Sequence, residues 1–225
     1  MSLKHCILFL CFQSFAQEIP NFTALDSLYR EDQFYIGITY NALQNMPIGI
    51  SQKKFTPSFS AGFLRDMPIN KSRTIAFAAG LGYSINNYNE NLLITTNDGK
   101  ANYSVINGTN YDKNKLILHY IDLPIEFRWR TSTPESHKFY RIYGGFKLSY
   151  LVYDYSKFVG EPQDFIVSNN ADLSKIQYGT YIDFGYNSLN FYVYYGLNSI
   201  YKTGTIDNKT IDLKTVNFGL MFYIL

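Results

Sequence analysis

Large apolar side chains alternate with small or polar ones along eight separate stretches of this chain. Successive side chains of an extended strand point to opposite faces, so each stretch would place its apolar residues on one face of a β-sheet. The stretches are residues 34–41, 55–65, 74–85, 120–129, 138–153, 176–186, 191–197 and 215–225. The pattern therefore predicts an all-β chain of eight strands.

The connections between these strands alternate between long and short. The short ones, at residues 66–73, 131–137 and 187–189, have turn composition, whereas the long ones are polar loops. In the longest loop Asn97-Asp98-Gly99 is a hairpin signal, which predicts a ribbon that continues beyond the sheet. Pro124 removes a backbone donor from the fourth strand and predicts a bulge there. An even strand number with long loops on one side is what an antiparallel transmembrane β-barrel of outer-membrane type requires.

The last strand is apolar on one face and runs to residue 225. An unpaired apolar edge invites aggregation, and a closed barrel removes that edge because its last strand pairs with its first. The spacing of Asn217, Gly219, Phe222 and Ile224 resembles the terminal insertion signal of bacterial outer-membrane barrels. We therefore predict that this strand closes the barrel.

The two faces of the predicted strands differ in side-chain size. One face is mostly Gly, Ser, Thr and Asn, whereas a solvated exterior would be dense in Lys and Glu. The small face predicts a narrow interior, and the large aromatic face predicts lipid contact. The 21 Tyr and 18 Phe suit the aromatic girdles of such barrels. A secreted lipocalin-like barrel is the alternative. With a net charge of +2 and no basic run, we expect no nucleic-acid partner.

The beginning of the chain has the pattern of a secretory signal peptide. Residues 1–16 combine a positive start, a short apolar core and small residues that predict a cut after Ala16. We expect residues 17–33 to form a periplasmic lead-in and residues 34–225 to form the outer-membrane barrel domain. Both cysteines precede the cut, so the mature chain would use neither disulfides nor cysteine ligands for metals.

Six charged side chains fall on the predicted inner face of the strands. They are Asp122, Glu126, Arg128, Arg141, Lys147 and Asp183. Isolated charges in a low-dielectric interior are costly, so these groups must pair. The predicted role of this lumen polar cluster is a structural plug, and ion passage or ligand contact are the alternatives.

Catalysis has little support in the sequence. A lipid-modifying barrel enzyme would need a histidine paired with a serine or an aspartate. Only His119 and His137 follow the expected cut, and neither stands in a nucleophile motif. No phosphate loop, zinc spacing or EF-hand pattern occurs. We therefore expect no enzyme, no catalytic residue, no metal and no cofactor.

One family resemblance rests on residues 63–71, 120–129, 146–151 and 219–225, together with residues 19–22 before the first strand. These segments resemble the PorT-like family of small outer-membrane barrels, which is associated with the type IX secretion system and the gliding machinery, and residues 19–22 are similar to the lead-in of that family. The resemblance implies a non-enzymatic role in exporting proteins with a type IX C-terminal signal, and it carries no catalytic residues.

An eight-stranded lumen is filled by side chains and could not pass a folded protein. We therefore expect an integral outer-membrane protein that acts as an accessory component of type IX secretion. Its expected partners are outer-membrane lipid, the barrel-assembly machinery and other secretion-system proteins, reached through the long loops, the wall or the lead-in. Two alternatives stay open: a surface adhesion or ligand-binding barrel that uses its Asn/Tyr-rich loops, and a small ion-conducting porin.

Overall fold

The computed structural model describes residues 30–52, 54–106, 108, 111–132 and 139–224. These residues form thirteen β-strands. The strands are β1 (Gln33–Gln44), β2 (Pro57–Pro68), β3 (Ile75–Asn89), β4 (Leu92–Asn97), β5 (Lys100–Val105), β6 (Tyr111–Arg130), β7 (Tyr140–Gly160), β8 (Phe165–Ser168), β9 (Ile176–Tyr186), β10 (Leu189–Gly196), β11 (Thr205–Ile206), β12 (Lys209–Thr210) and β13 (Lys214–Ile224). None of the described residues lies in a helix of the length and apolar character needed to cross a bilayer.

Eight of the strands close into an antiparallel barrel. The order around it is β1, β2, β3, β6, β7, β9, β10 and β13, and β13 pairs back with β1 from Phe34 opposite Ile224 to Gln44 opposite Lys214. Neither edge of the sheet is left unpaired at the seam, which removes the aggregation hazard of the apolar last strand. The predicted eight-stranded antiparallel barrel is confirmed.

The two faces of the barrel wall follow the predicted alternation. On β6 the outward side chains Ile121, Leu123, Ile125, Phe127 and Trp129 are 41–56% exposed. Their inward neighbours Asp122, Glu126 and Arg128 are at most 1% exposed. The wall thus has apolar residues outside and polar residues inside. This arrangement is the reverse of that in a soluble protein and is typical of a barrel in lipid.

Three barrel strands run further than the sequence predicts. β3 continues to Asn89, β6 begins at Tyr111 and β7 continues to Gly160, so much of the predicted loops 86–114 and 155–174 is β-sheet. Between β3 and β6 the chain forms the β4–β5 hairpin, with Asp98 and Gly99 in the left-handed region at its turn. The predicted ribbon at Asn97-Asp98-Gly99 is therefore confirmed, but the loop boundaries were wrong.

The predicted bulge at Pro124 is wrong. The pairing of β6 with β7 keeps one register through Pro124, opposite Lys147, and shifts at two other places, between Tyr111 and Lys113 and between His119 and Tyr120. At the second of these shifts His119 faces Tyr153 and Tyr120 faces Leu151, so the extra residue there is Val152 on β7. Proline removes a hydrogen-bond donor without adding a residue, so it can interrupt a ladder without changing its register.

The short connections also differ in detail from the prediction. β2 continues through Asp66 to Pro68, so the first turn is confined to residues 69–74, with Arg73 in the left-handed region. The turn between β9 and β10 is reduced to Asn187 and Ser188. Residues 133–138 of the remaining short connection lie outside the described residues, and so do residues 1–29.

Candidate functional site

The lower half of the barrel lumen contains a buried ion-pair network around Asp66. Both terminal nitrogens of the Arg130 guanidinium donate to the carboxylate, Nη1 to Oδ1 at 2.9 Å and Nη2 to Oδ2 at 2.8 Å. Arg128 donates to the same Oδ1 at 2.9 Å. The backbone of Glu31, just before β1, joins the group: its N–H donates to Asp66 and its carbonyl accepts from Arg128 at 3.1 Å. The chain that enters the barrel is thus attached to the lumen at this end.

Two further carboxylates extend the network across the lumen. Glu126 accepts from Arg128 Nε at 2.8 Å and from the Tyr181 hydroxyl at 2.8 Å. Asp183 accepts a hydrogen bond from the Tyr223 hydroxyl. These contacts link β6, β9 and β13, so the network spans strands that are far apart in sequence.

The remaining predicted lumen residues are held by aromatic rings and a hydroxyl. The Arg141 guanidinium lies over the rings of Phe139, Tyr223 and Tyr143, with Cζ 4.5, 5.3 and 5.6 Å from the ring centroids. Lys147 Nζ lies 4.3 Å from the Tyr194 ring centroid. Such cation–π contacts are worth about 2 kcal/mol or more when they are desolvated. Asp122 accepts from the Ser149 hydroxyl at 2.5 Å.

The structure therefore places all six predicted lumen residues inside the wall, but in two groups. Glu126, Arg128, Arg141 and Asp183 lie in the lower network, whereas Asp122 and Lys147 lie higher, along one small cavity. Including the residues that the sequence analysis missed, five carboxylates and four cations lie in this interior: Asp66, Asp122, Glu126, Asp183 and Glu31, with Arg128, Arg130, Arg141 and Lys147. Charges of both signs are thus brought together inside the wall.

Asp66 and Arg130 were missed for a traceable reason. Asp66 precedes Met67, Pro68, Ile69 and Asn70, and this turn-like composition placed it in a turn. The alternation itself held a signal, because Leu64 and Asp66 share the inward parity in β2, and Arg130 continues that of Arg128 in β6. The inward tyrosines that fill the lumen, which include Tyr35, Tyr143, Tyr181, Tyr192, Tyr194 and Tyr223, were likewise not assigned individually.

Side chains fill the part of the lumen that the structure describes. The cavity beside Asp122 and Lys147 and another between Tyr120 and Tyr194 each hold about 20 Å³. A volume of that size is room for roughly one water molecule. Such a lumen offers no continuous aqueous path along these residues, which does not favour the porin alternative.

The residues of the expected insertion signal lie on β13 at the closing seam. Asn217 faces the lumen and donates to the side chain of Asn41 on β1. Gly219 packs against the backbone of Ile38 and Thr39 so closely that a Cβ there would overlap the Ile38 carbonyl oxygen. Phe222 and Ile224 are on the outward face. Their role in membrane insertion stays a prediction.

Beyond the lipid-facing band, the strand ends and loops form a cap, which we define as the described residues of 42–56, 86–119, 153–175 and 197–214. Its apolar core is closed off from the lumen network and joins all four long connections. The core residues are Leu43, Ile50, Tyr88, Leu92, Ile94, Leu116, Leu118, Leu173, Ile200, Tyr201, Ile206, Ile211 and Leu213, with Tyr120 and Leu151 at its lower edge. The cap is thus a packed structure in its own right.

A cleft of about 550 Å³ opens on the cap surface between the β4–β5 hairpin tip, residues 167–172 and residues 204–205. The Tyr103 hydroxyl on its wall donates to Asp172 Oδ2 at 2.9 Å and accepts from Asn170 Nδ2 at 2.9 Å. Gly204, with φ +113°, lets the chain pass close to the Tyr103 ring, because a Cβ there would lie 3.1 Å from it. The cleft is lined mainly by amides, hydroxyls and backbone, with one aromatic ring.

Glu90 is the isolated acid of the cap. It is buried between β3 and β4, and its Oε2 has no hydrogen-bond partner among the described residues. Burial raises the pKa of Glu90 to about 8. A raised carboxyl pKa means that the folded cap prefers the protonated acid. The contribution of Glu90 to the stability of the folded cap is therefore fully present below the ordinary pKa of a glutamic acid. It is lost as the pH rises through about 8.

Groups that could support catalysis or metal binding were sought in the same residues. No cluster of three or more His, Cys, Asp or Glu side chains that could hold a metal ion occurs within the described ranges. His119 Nδ1 lies 2.7 Å from the Tyr83 hydroxyl, and the ring packs near Tyr153 and Tyr155 at the outer end of the wall. His137 falls among the residues that the structure does not describe.

Comparison with known proteins agrees with the geometry. A family model described as "Outer membrane protein beta-barrel domain" matches residues 15–202. No curated protein sequence matches the chain. Among solved structures, the chain is similar to Ail, the attachment invasion locus protein of Yersinia pestis, with 12% identity and a TM-score of 0.40 over 87% of this chain and 99% of that one. A structure from work on asymmetric conductivity of engineered proteins matches with 8% identity and a TM-score of 0.23 over 86% and 99%. The family match covers most of the sequence, and the chain therefore belongs to the outer membrane protein beta-barrel domain family, a protein of the outer membrane.

Proposed function

We propose that this barrel is a non-enzymatic accessory component of type IX protein secretion and acts through contacts with other proteins. The observation that carries the proposal is the filled lumen, in which Asp66, Glu126, Arg128 and Arg130 form a buried ion-pair network below an apolar cap core. A barrel closed in this way cannot itself be the conduit for a folded cargo. The resemblance of residues 63–71, 120–129, 146–151 and 219–225 to the PorT-like family supports the assignment to type IX secretion.

A clean deletion tests this proposal. We expect cargo proteins with a type IX C-terminal signal to accumulate in the periplasm and to fall at least tenfold in the medium. Complementation with the wild-type chain should restore export. The abundance of an unrelated outer-membrane barrel and the leakage of a periplasmic marker serve as controls for general envelope damage. Normal export in the deletion strain would refute the type IX role.

The cap cleft supports a second candidate function, a surface barrel that binds a ligand. Its volume lies within the range of small-molecule sites, about 300–1,000 Å³. Planar amides, hydroxyls and one tyrosine ring offer paired donors and acceptors with an apolar face, which suits a polyhydroxylated ligand such as an oligosaccharide. Removing residues 90–110 is a poor test, because it would take Leu92 and Ile94 from the cap core.

A point substitution separates the cleft from the cap fold. Ala171 is exposed on the cleft wall, so Ala171→Trp should fill the cleft without disturbing the core. We expect cells that display the Ala171→Trp barrel to bind immobilised oligosaccharides at least tenfold more weakly than cells that display the wild type. Gln163→Trp, an exposed change in the same loop outside the cleft, is the matched control. Equal binding by both variants and the wild type would remove the cleft as a ligand site.

A further inference from the structure

Two lysines stand directly opposite each other on the outer wall of the cap. Lys115 of β6 pairs in register with Lys157 of β7. Directly opposed side chains in an antiparallel pair have Cβ atoms about 4.5–5.5 Å apart, and like charges at such positions are destabilising. Neither lysine has an ion-pair partner among the residues that the structure describes, and both are partly exposed. The pair therefore lacks a counter-charge within the described chain.

The faces of these strands establish which way the pair points. Above the register shift, Leu116 and Leu118 of β6 and Asp154 and Ser156 of β7 are buried inside. Lys115 and Lys157 have the opposite parity and are partly exposed on the exterior, and Lys113, two residues further out, is exposed. Ile117 shares their parity but is covered. Three ammonium groups thus share one patch of the outer wall, which we call the lysine patch (Lys113, Lys115 and Lys157).

The height of the lysine patch is given by the wall below it. The exposed apolar band of β6 ends at Ile121, and an aromatic row of Tyr83, His119 and Tyr153 follows. Aromatic rows of this kind mark the interface between hydrocarbon and headgroups. Lys115 lies four residues beyond His119, which is about 13 Å along the strand and roughly 10 Å in height because barrel strands tilt. The headgroup layer is about 5–7 Å thick on each side of the bilayer, so the backbone of Lys115 lies just above it and the long lysine stem can reach back into it along the wall.

We propose that the lysine patch binds the phosphate of an anionic lipid headgroup in the outer leaflet. Two opposed ammonium groups can donate to one phosphate from both strands, and the phosphate supplies the counter-charge that the described chain lacks. The aliphatic stems of the lysines can lie along the wall while their charged ends reach the headgroup. This site goes beyond the proposed secretion role, because it concerns lipid at the barrel wall and not a partner protein.

The test uses the full chain reconstituted in vesicles of phosphatidylcholine that contain a small fraction of phosphatidic acid. Native mass spectrometry measures how much phosphatidic acid the protein retains. A lysine near a charged membrane surface contributes about 1 kcal/mol, which corresponds to roughly fivefold in affinity. We therefore expect Lys115→Gln/Lys157→Gln to bind phosphatidic acid about 25-fold more weakly than the wild type.

The control removes the same charge elsewhere on the cap. Lys100 and Lys209 are exposed at the tips of two hairpins, and Lys100→Gln/Lys209→Gln should retain the lipid as the wild type does. Equal retention by all three proteins would overturn the proposal, and so would an equal loss in both variants. If soluble glycerol phosphate displaces the lipid at matched concentration, the site takes a free anion and the assignment to a lipid is wrong. Thermal unfolding of each variant verifies that the barrel is folded.

Discussion

Asp66→Asn is expected to lower the free energy of unfolding of the barrel by about 3–5 kcal/mol, because removing one partner of a buried ion pair leaves the other charge uncompensated. Here one substitution weakens two ion pairs at once, although Arg128 keeps its pair with Glu126. Arg128 and Arg130 are both fully buried and both donate to the Asp66 carboxylate. The amide has nearly the same shape, so the loss reflects charge and hydrogen bonding and not a cavity.

Urea-dependent unfolding in lipid vesicles measures this effect, and the chain provides its own probe. Its single tryptophan, Trp129, lies between the two arginines on β6 and faces outward. The control is Asp32→Asn, which breaks the partly exposed pair between Asp32 and Arg65 and should cost less than about 1 kcal/mol. If Asp66→Asn unfolds at the same urea concentration as Asp32→Asn, the lumen network does not stabilise the barrel.

Gly80→Ala is the second substitution with a large expected effect. Gly80 faces the lumen on β3 opposite Leu64, and a Cβ there would overlap the carbonyl oxygen of Phe63 on β2. The obstacle is backbone in a hydrogen-bonded ladder, so it cannot move away as a flexible side chain could. Overpacking typically costs 1–3 kcal/mol, and we expect about 3 kcal/mol for this site.

The matched control for Gly80→Ala is Gly144→Ala. Gly144 lies on the outward face of β7, and no heavy atom stands within 4 Å of the position of its Cβ. The same chemical change should therefore be neutral or slightly stabilising there, since alanine loses less entropy on folding. The two variants are compared by the fraction that folds into vesicles and by urea unfolding. Equal stability of the two would show that the interior accommodates a methyl group.

The eight strands and the sides they face could be predicted from the sequence because both depend on local alternation. A strand repeats every two residues, so Ile121, Leu123 and Ile125 share a face wherever the strand lies. The seam between β13 and β1 also followed, since an apolar last strand needs a partner. All six predicted lumen charges have inward parity for the same reason.

The partners of those charges could not be predicted in this way. Which residue of β2 reaches Arg128 depends on the relative shift of β2, β3 and β6, and the local turn composition after Asp66 pointed away from the lumen. The continuation of β6 and β7 beyond the bilayer was hidden for a related reason. The Asn-rich segment before Leu116 lacks strong strand propensity, and its strand state comes from pairing with β7 and β3.

By itself the sequence determined an outward apolar wall, an inward polar face, eight strands and a closed seam, because all of these follow from a period of two and from the cost of an open edge. Only the tertiary structure decided that Asp66 forms ion pairs with two arginines, that the four long connections share one apolar core, and that Lys115 faces Lys157. Each of these is a contact between segments distant in sequence. Such contacts depend on strand register around the whole barrel, which no local pattern of side chains contains.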